Sequence, residues 1–195
     1  MAETSEEHRV AQRHREAIEL FTARVHAIGP DQWDAPTPCA DWSVRDLVNH
    51  LTAEQLWVPP LVREGSTLAD QGTRFDGDQL GTDPVAAWDD AAAGALAAFA
   101  EPGALARTVH LSSGPGSALG YCSQMTMDAV VHAWDLSRAI GADERLPAEL
   151  VDFAAQEVAP YAADLVGTGL FAPPLTPPPG ADAQQRLLSL LGRES

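Results

Sequence analysis

The sequence predicts an all-α protein with four main antiparallel helices and short extra helices towards the C-terminus. Three observations favour this fold. Apolar residues recur at helical spacing in several separate segments, capping residues precede these segments, and Gly or Pro follows them. The chain has 195 residues and no internal repeat. This length suits a single helical-bundle domain covering residues 1–195.

The first two helices have clear boundaries. An apolar stripe over residues 5–28 predicts helix one, and Gly29-Pro30 follows it. Ser43 is suited to cap helix two, and Asp46 stands three residues later, where a capping box needs an acidic group. Pro59-Pro60 is expected to end or kink this helix, because proline lacks the amide hydrogen that helix interiors require.

The middle of the chain alternates between polar and apolar segments. Residues 65–83 are rich in Gly and Asp and predict an exposed loop. Asp83-Pro84 then begins a third helix, with proline in the first helical position, and Pro102-Gly103 ends it. Residues 107–111 are expected to be extended, and residues 112–120 to form a Gly/Ser turn region.

The C-terminal third predicts the remaining helices. A fourth helix is expected over residues 121–140, stopped by Gly141, and a fifth over about residues 148–166. The segment 171–180 contains five prolines, which exclude helix and central strand. A short terminal helix over residues 183–191 is expected to pack its leucines on the body of the protein.

Charge and composition exclude several classes of partner. The chain has 28 acidic and 12 basic residues, so its formal net charge is −16, and it contains no lysine. Such a balance disfavours nucleic acid and anionic lipid surfaces. We find no apolar run long enough to span a membrane and no signal peptide in the polar N-terminal segment. Cys39 and Cys122 are interpreted as reduced, packed thiols of a cytoplasmic protein.

Three polar residues in apolar surroundings predict a metal site. Asp128 and His132 are four residues apart on helix four, so their side chains project together. His50 stands among apolar residues of helix two and is expected to face the same bundle interior. Two imidazoles and a carboxylate suit Zn²⁺ with an open position, or Fe²⁺. The spacing alone favours a simple Asp–His pair on helix four, and a core histidine satisfied by a backbone carbonyl at His50.

The surroundings of this constellation leave several roles open. Asp135 is a substitute ligand, a carboxylate that orients a histidine, or an ion-pair partner of Arg138; we favour the last two. Trp57 and Trp134 are near the proposed ligands in sequence and are expected to wall a pocket. The histidines of helix one, His14 among them, have polar neighbours and no matching partner.

Three segments, in order, carry a family resemblance. TPCADWSVRDLVNHL over residues 37–51 and MDAVVHAWDLSRAIG over residues 127–141 resemble the two signatures of the DinB-like superfamily. More narrowly, they resemble the actinobacterial branch that includes mycothiol-dependent maleylpyruvate isomerase. The ending FAPPLTPPPGADAQQRLLSLLGR over residues 171–193 is similar to the tail of uncharacterised metal-binding proteins of that branch.

The resemblance implies a DinB-like four-helix bundle that binds a divalent metal, usually zinc, with Ni²⁺ and Fe²⁺ as alternatives. Carried over by position, the metal ligands are His50, Asp128 and His132. The isomerase has Glu where this chain has Asp128, which is one methylene shorter, and many other relatives have His there. The isomerase also has an additional C-terminal domain for which this chain is too short.

Three functions follow from such a site. The first is a metal-dependent thiol transferase or isomerase, in which a low-molecular-weight thiol resembling mycothiol attacks a small electrophile. The second is hydrolysis by metal-activated water, with Asp135 as the base. The third is a non-catalytic protein that binds a metal or a small ligand. The sequence leaves a homodimer open and does not identify the electrophile.

Overall fold

Helices form nearly all of the regular structure. The computed structural model describes residues 4–162 and 172–194. Its α-helices are α1 (Ser5–Val25), α2 (Val44–Arg63), α3 (Leu68–Gln71), α4 (Pro84–Phe99), α5 (Ala118–Ile140), α6 (Ala148–Val158) and α7 (Ala183–Leu190). A two-stranded antiparallel hairpin of β1 (Thr108–Leu111) and β2 (Gly114–Ser117) precedes α5. The predicted all-α class is confirmed.

Four long helices make the bundle. Helix α1 packs mainly on α5, and α2 packs mainly on α4, while α1–α4 and α2–α5 contacts close the bundle. Helix α6 packs on α5, and α7 packs on α6, so the short terminal helix lies against the body as the sequence predicted. Apolar side chains of the bundle helices form one large buried cluster, which includes Phe21, Leu47, Leu51, Trp88 and Val130. Removing such side chains from water is the main stabilising contribution.

Helix α2 begins as predicted. The Ser43 hydroxyl accepts from the Asp46 amide at 3.2 Å, and the Asp46 carboxylate accepts from the Ser43 amide at 2.9 Å. The predicted capping box is therefore present, and it fixes the residue at which the helix that carries His50 begins. Because a helix advances 100° per residue, this start determines which side chains face α5.

The two prolines of α2 do not end the helix, and its last turn is packed against the rest of the protein. The helix continues through Pro59-Pro60 to Arg63, which corrects the expected end. Val58, Leu61 and Val62 are at most 1% exposed and belong to a buried cluster with α4 residues. This burial offsets the backbone hydrogen bonds that two prolines cannot donate.

Other boundaries differ by a few residues. The 65–83 segment is not a fully exposed loop, because it contains α3 and buries Phe75 and Leu80. Helix α5 begins three residues earlier than predicted, because the Ser117 hydroxyl caps it. Gly141 ends α5 with a positive φ of 70°, as glycine allows. Helix α6 ends at Val158, and residues 163–166 of the predicted fifth helix lie outside the described residues.

One histidine of α1 is buried in the core, contrary to the polar surroundings expected for it. His14 is 1% exposed, and its ring packs edge-on against Phe99. The Thr126 hydroxyl donates to the Cys122 carbonyl, so it accepts from His14 Nδ1–H at 3.2 Å. His14 Nε2 is buried without a hydrogen-bond partner among the described residues. Burial lowers the pKa of His14 to about 4, so the ring is neutral at pH 7.

Candidate metal centre

The structure brings His50, Asp128 and His132 together between α2 and α5. Asp128 Oδ2 lies 3.4 Å from His50 Nε2, and Asp128 Oδ1 lies 3.3 Å from His132 Nε2. One ligand atom from each residue lies within 4.8 Å of the other two. His50 and Asp128 are 24% and 20% exposed, whereas His132 is 3% exposed. The three side chains thus form a partly accessible cluster anchored on a buried histidine.

The spacing and the donor set fit a divalent metal ion. Nitrogen and oxygen ligands about 2.0–2.1 Å from Zn²⁺, at tetrahedral angles, lie about 3.3 Å apart. The two Asp128–histidine separations, one from each carboxylate oxygen, are close to that value and are longer than strong charge-assisted hydrogen bonds. Three ligands on one side would leave a coordination position open towards the neighbouring cavity.

The electrostatics of the cluster favour charged groups. Burial opposes ionisation of Asp128, yet His132 and His50 hold the pKa of its carboxyl well below the ordinary value. Burial would lower the pKa of His132, but Asp128 and Asp135 raise it well above the ordinary value. Asp128 therefore presents an ionised carboxylate between two imidazoles, and such a group is available to bind a cation.

Asp135 lies on the opposite side of the His132 ring. His132 Nδ1–H donates to Asp135 Oδ2 at 2.9 Å, which leaves Nε2 facing Asp128. The Nδ1 proton is assigned from the hydrogen-bond network; in the metal-free protein the raised pKa of His132 places a second proton on Nε2, which a bound metal ion would displace. A carboxylate behind a metal-binding histidine orients the ring and raises its basicity. The geometry places Asp135 in that orienting position.

Asp135 pairs with Arg193 and not with Arg138, which corrects one of the alternatives. Arg193 Nη2 and Nε donate to the two Asp135 oxygens at 2.8 and 3.2 Å. Arg138 instead pairs with Glu144 at 2.9 Å. Burial opposes ionisation of Asp135, but His132 and Arg193 lower the pKa of its carboxyl to about 2. The C-terminal segment thus reaches the back of the site.

Cys39 belongs to the same buried network. Its Sγ lies 3.3 Å from Asp135 Oδ2, 3.8 Å from His132 Nδ1 and 3.6 Å from Arg193 Nη2. Cys39, His132 and Asp135 form a second group with ligand spacing. In that group the Asp135 carboxylate is already engaged by Arg193 and His132. The group at Asp128 is therefore the better candidate for a metal.

A cavity of about 320 Å³ opens beside His50, Asp128 and His132. Its described lining mixes aromatic, sulfur-containing, amide and acidic side chains: Trp42, His50, Glu54, Tyr121, Gln124, Met125, Met127, Asp128, His132 and Tyr161. The cavity is large enough for a small organic ligand.

The tryptophan in the described lining is Trp42. Its ring centroid lies 4.9 Å from that of His50 and 6.1 Å from that of His132. Trp57 and Trp134, the expected wall residues, are not among the described residues that line the cavity. Trp57 packs on Phe75, and Trp134 is 1% exposed beneath Arg138. Proximity in sequence did not identify the correct helix face.

The sequence interpretation also missed the four further lining residues that carry polar side-chain groups, Glu54, Tyr121, Gln124 and Tyr161. Glu54 lies one turn after His50 on α2, and this four-residue spacing was a detectable signal. Tyr121 and Gln124 lie on α5, two turns and one turn before Asp128, respectively. Tyr161 follows α6 and gave no local signal, because the packing of α6 on α5 brings it to the cavity.

The comparisons with known proteins agree with this architecture. Residues 14–137 match the family described as the mycothiol maleylpyruvate isomerase N-terminal domain. Two uncharacterized proteins of Mycobacterium tuberculosis, from strains CDC 1551 / Oshkosh and ATCC 25618 / H37Rv, are each 33% identical over 137 residues. The similarity covers 70% of this chain and 70% of each relative. No solved structure matches significantly. Within the described residues, no helix combines the length and apolarity that crossing a membrane requires.

Proposed function

Since the chain belongs to the mycothiol maleylpyruvate isomerase N-terminal domain family, we propose that it binds a divalent metal ion and a low-molecular-weight thiol. His50, Asp128 and His132 would hold the metal, with Zn²⁺ as the preferred ion and Ni²⁺ or Fe²⁺ as alternatives. The reaction would be transfer of the thiol to a small electrophile, or isomerisation assisted by the thiol. Mycothiol, which the family description names, is the thiol to test first.

One observation carries this proposal. Two imidazole nitrogens and a carboxylate converge at ligand spacing beside a cavity of about 320 Å³. A structural metal site is closed by protein ligands, whereas a catalytic site keeps a position open to a substrate. Three ligands beside a cavity support the second type.

The residues around the site have complementary tasks in this proposal. A bound divalent cation would stabilise the thiolate form of a thiol at neutral pH. Asp135 holds His132 with Nε2 towards the ligands, and Arg193 holds Asp135. Trp42 and Met127 provide apolar wall that limits access of water. No protein nucleophile is required, and Cys39 Sγ lies by Nδ1 on the other side of the His132 ring from Asp128.

Hydrolysis receives less support from the geometry. The base suggested by the sequence was Asp135, but its two oxygens are taken by His132 and Arg193. It therefore has no carboxylate oxygen directed at a water in the cavity. A non-catalytic metal-binding protein would keep the same ligands but would show no affinity for thiols.

Metal content and thiol affinity test the proposal together. We expect about one divalent metal ion per chain, and we expect His50→Ala and His132→Ala to remove most of it. His26→Ala is the matched control, because His26 is a half-exposed histidine paired with Asp89 away from the site. Metal analysis by mass spectrometry provides the measurement. Full metal content in the variant that combines His50→Ala and His132→Ala would refute the ligand assignment.

Calorimetric titration with mycothiol then separates the candidate functions. We expect binding to the zinc-loaded protein and much weaker binding to the metal-free protein. Equal affinity in both forms would contradict activation of the thiol by the metal. Zinc binding with no thiol binding would indicate a non-catalytic metal protein.

A further inference from the structure

The charges of the cavity lining are strongly one-sided. The chain contains no lysine, and all 12 of its basic residues are arginines within the described ranges. None of these arginines is among the described residues that line the cavity. The lining does contain two carboxylates, Asp128 and Glu54. A carboxylate or phosphate group on a ligand would therefore find no arginine or lysine in this lining.

Glu54 is the acidic group whose charge is not used elsewhere. It lies one turn after His50 on α2 and lines the cavity. Within the described part of the chain, no donor forms a hydrogen bond or ion pair with its carboxylate. Burial raises the pKa of Glu54; Asp128 adds to this, while His50 and His132 oppose it.

A charge balance shows why Glu54 matters to the occupant of the cavity. In the proposed function, Asp128 and the thiolate carry two negative charges, which offset the two positive charges of a divalent cation. An anionic second ligand would then face the ionised form of Glu54 with no compensating cation, so its binding requires Glu54 to be protonated. Like charges placed together in a partly desolvated site disfavour binding.

The other lining residues suit a flat, uncharged molecule. Trp42, Met125 and Met127 offer apolar and polarisable surface, and Tyr121 and Tyr161 add aromatic rings. Gln124 provides neutral donors and acceptors. These groups can contact an aromatic or conjugated ring without requiring a charge on it.

We propose that the second ligand of this site is an uncharged aromatic or conjugated electrophile without a carboxylate or phosphate group, and that Glu54 determines this selectivity. The electrophilic character of this second ligand rests on the proposed thiol chemistry. The selectivity itself rests on the lining and can be measured by binding alone.

Equilibrium binding uses a matched pair of unreactive probes. 1,3-Dinitrobenzene is neutral, and 3,5-dinitrobenzoate adds one carboxylate to the same ring. With zinc-loaded protein saturated with mycothiol, calorimetry should give about tenfold tighter binding of the neutral probe. Glu54→Gln should reduce this ratio several-fold, and Gln124→Glu should increase it. Glu64→Gln is the control, because Glu64 is exposed at the end of the same helix.

The binding outcomes are decisive in both directions. Equal or tighter binding of the benzoate to the wild-type protein would overturn the proposal. A ratio that neither Glu54→Gln nor Gln124→Glu changes would overturn the assignment to Glu54. The second variant keeps the test valid if the first fails to fold.

A transfer assay separates this inference from the proposed function. With 1-chloro-2,4-dinitrobenzene, the thiol sulfur bonds to the ring carbon, chloride leaves with the C–Cl electron pair, and the thiol proton goes to the buffer. 4-Chloro-3,5-dinitrobenzoate is the anionic counterpart. Selective binding without transfer would refute the thiol transferase function and leave the selectivity standing. Equal transfer to both compounds would overturn the selectivity and support the function.

Discussion

Replacing Arg193 by Met should destabilise the protein far more than the loss of an ordinary surface arginine. Asp135 is 0% exposed, and Arg193 is 5% exposed on its side chain. Two donors of Arg193 contact the two oxygens of Asp135 at 2.8 and 3.2 Å. The variant leaves the Asp135 carboxylate buried, with His132 and Cys39 as its remaining side-chain contacts among the described residues. Removing one partner of such a buried pair costs about 3–5 kcal/mol.

Urea denaturation monitored by circular dichroism, at pH 7.5 with a chelator present, measures this loss of unfolding free energy. In a chain of this length, each kcal/mol lowers the melting temperature by about 2–4 °C, so we expect a decrease on the order of 10 °C. Arg145→Met is the matched control. Its guanidinium is 89% exposed and pairs with Asp143, so the free energy of unfolding should hardly change.

A double-mutant cycle identifies the cause of the loss. Asp135→Asn alone removes the carboxylate charge that Arg193 contacts, whereas the double variant removes both charges. The double variant should therefore lose less stability than the sum of the two single variants. The reasoning is refuted if Arg193→Met costs no more than Arg145→Met, or if the two single losses simply add.

Three further outcomes follow from the structure. His14 has a pKa of about 4 in the folded protein, below its ordinary value, so stability should fall as the pH drops from about 6.5 to 4, by about 2 kcal/mol at pH 5. His14→Asn should reduce this loss in urea titrations, and His8→Asn should not. Equal slopes of stability against pH in the two variants would contradict the assignment of the loss to His14. Asp128→Ala should abolish zinc binding in a chelator competition, whereas Asp135→Asn should weaken it about 10–100-fold; the reverse order would make Asp135 the ligand. A chelator should lower the melting temperature of the metal-loaded protein without unfolding it, as calorimetry can show; complete unfolding would indicate a structural metal.

The sequence was sufficient to predict the elements that local chemistry specifies. The Ser43–Asp46 capping box and the glycine at 141 set the start of α2 and the end of α5. Helical spacing placed Asp128 and His132 on one face, and the apolar neighbours of His50 directed it inward. These predictions succeeded because capping and periodicity depend on residues within about one turn of each other.

The residues that complete the site were decided by tertiary structure. Arg193 reaches Asp135 from 58 positions away, and Trp42 lines the cavity where Trp57 and Trp134 were expected. Tyr161 arrives from beyond α6. Such pairings depend on the rotation of each helix against its neighbours and on the path of the C-terminal segment, and no short-range pattern encodes either of them. The sequence alone determined the helices and the three candidate ligands they carry, whereas helix packing decided what surrounds those residues, because burial selects partners by position in space.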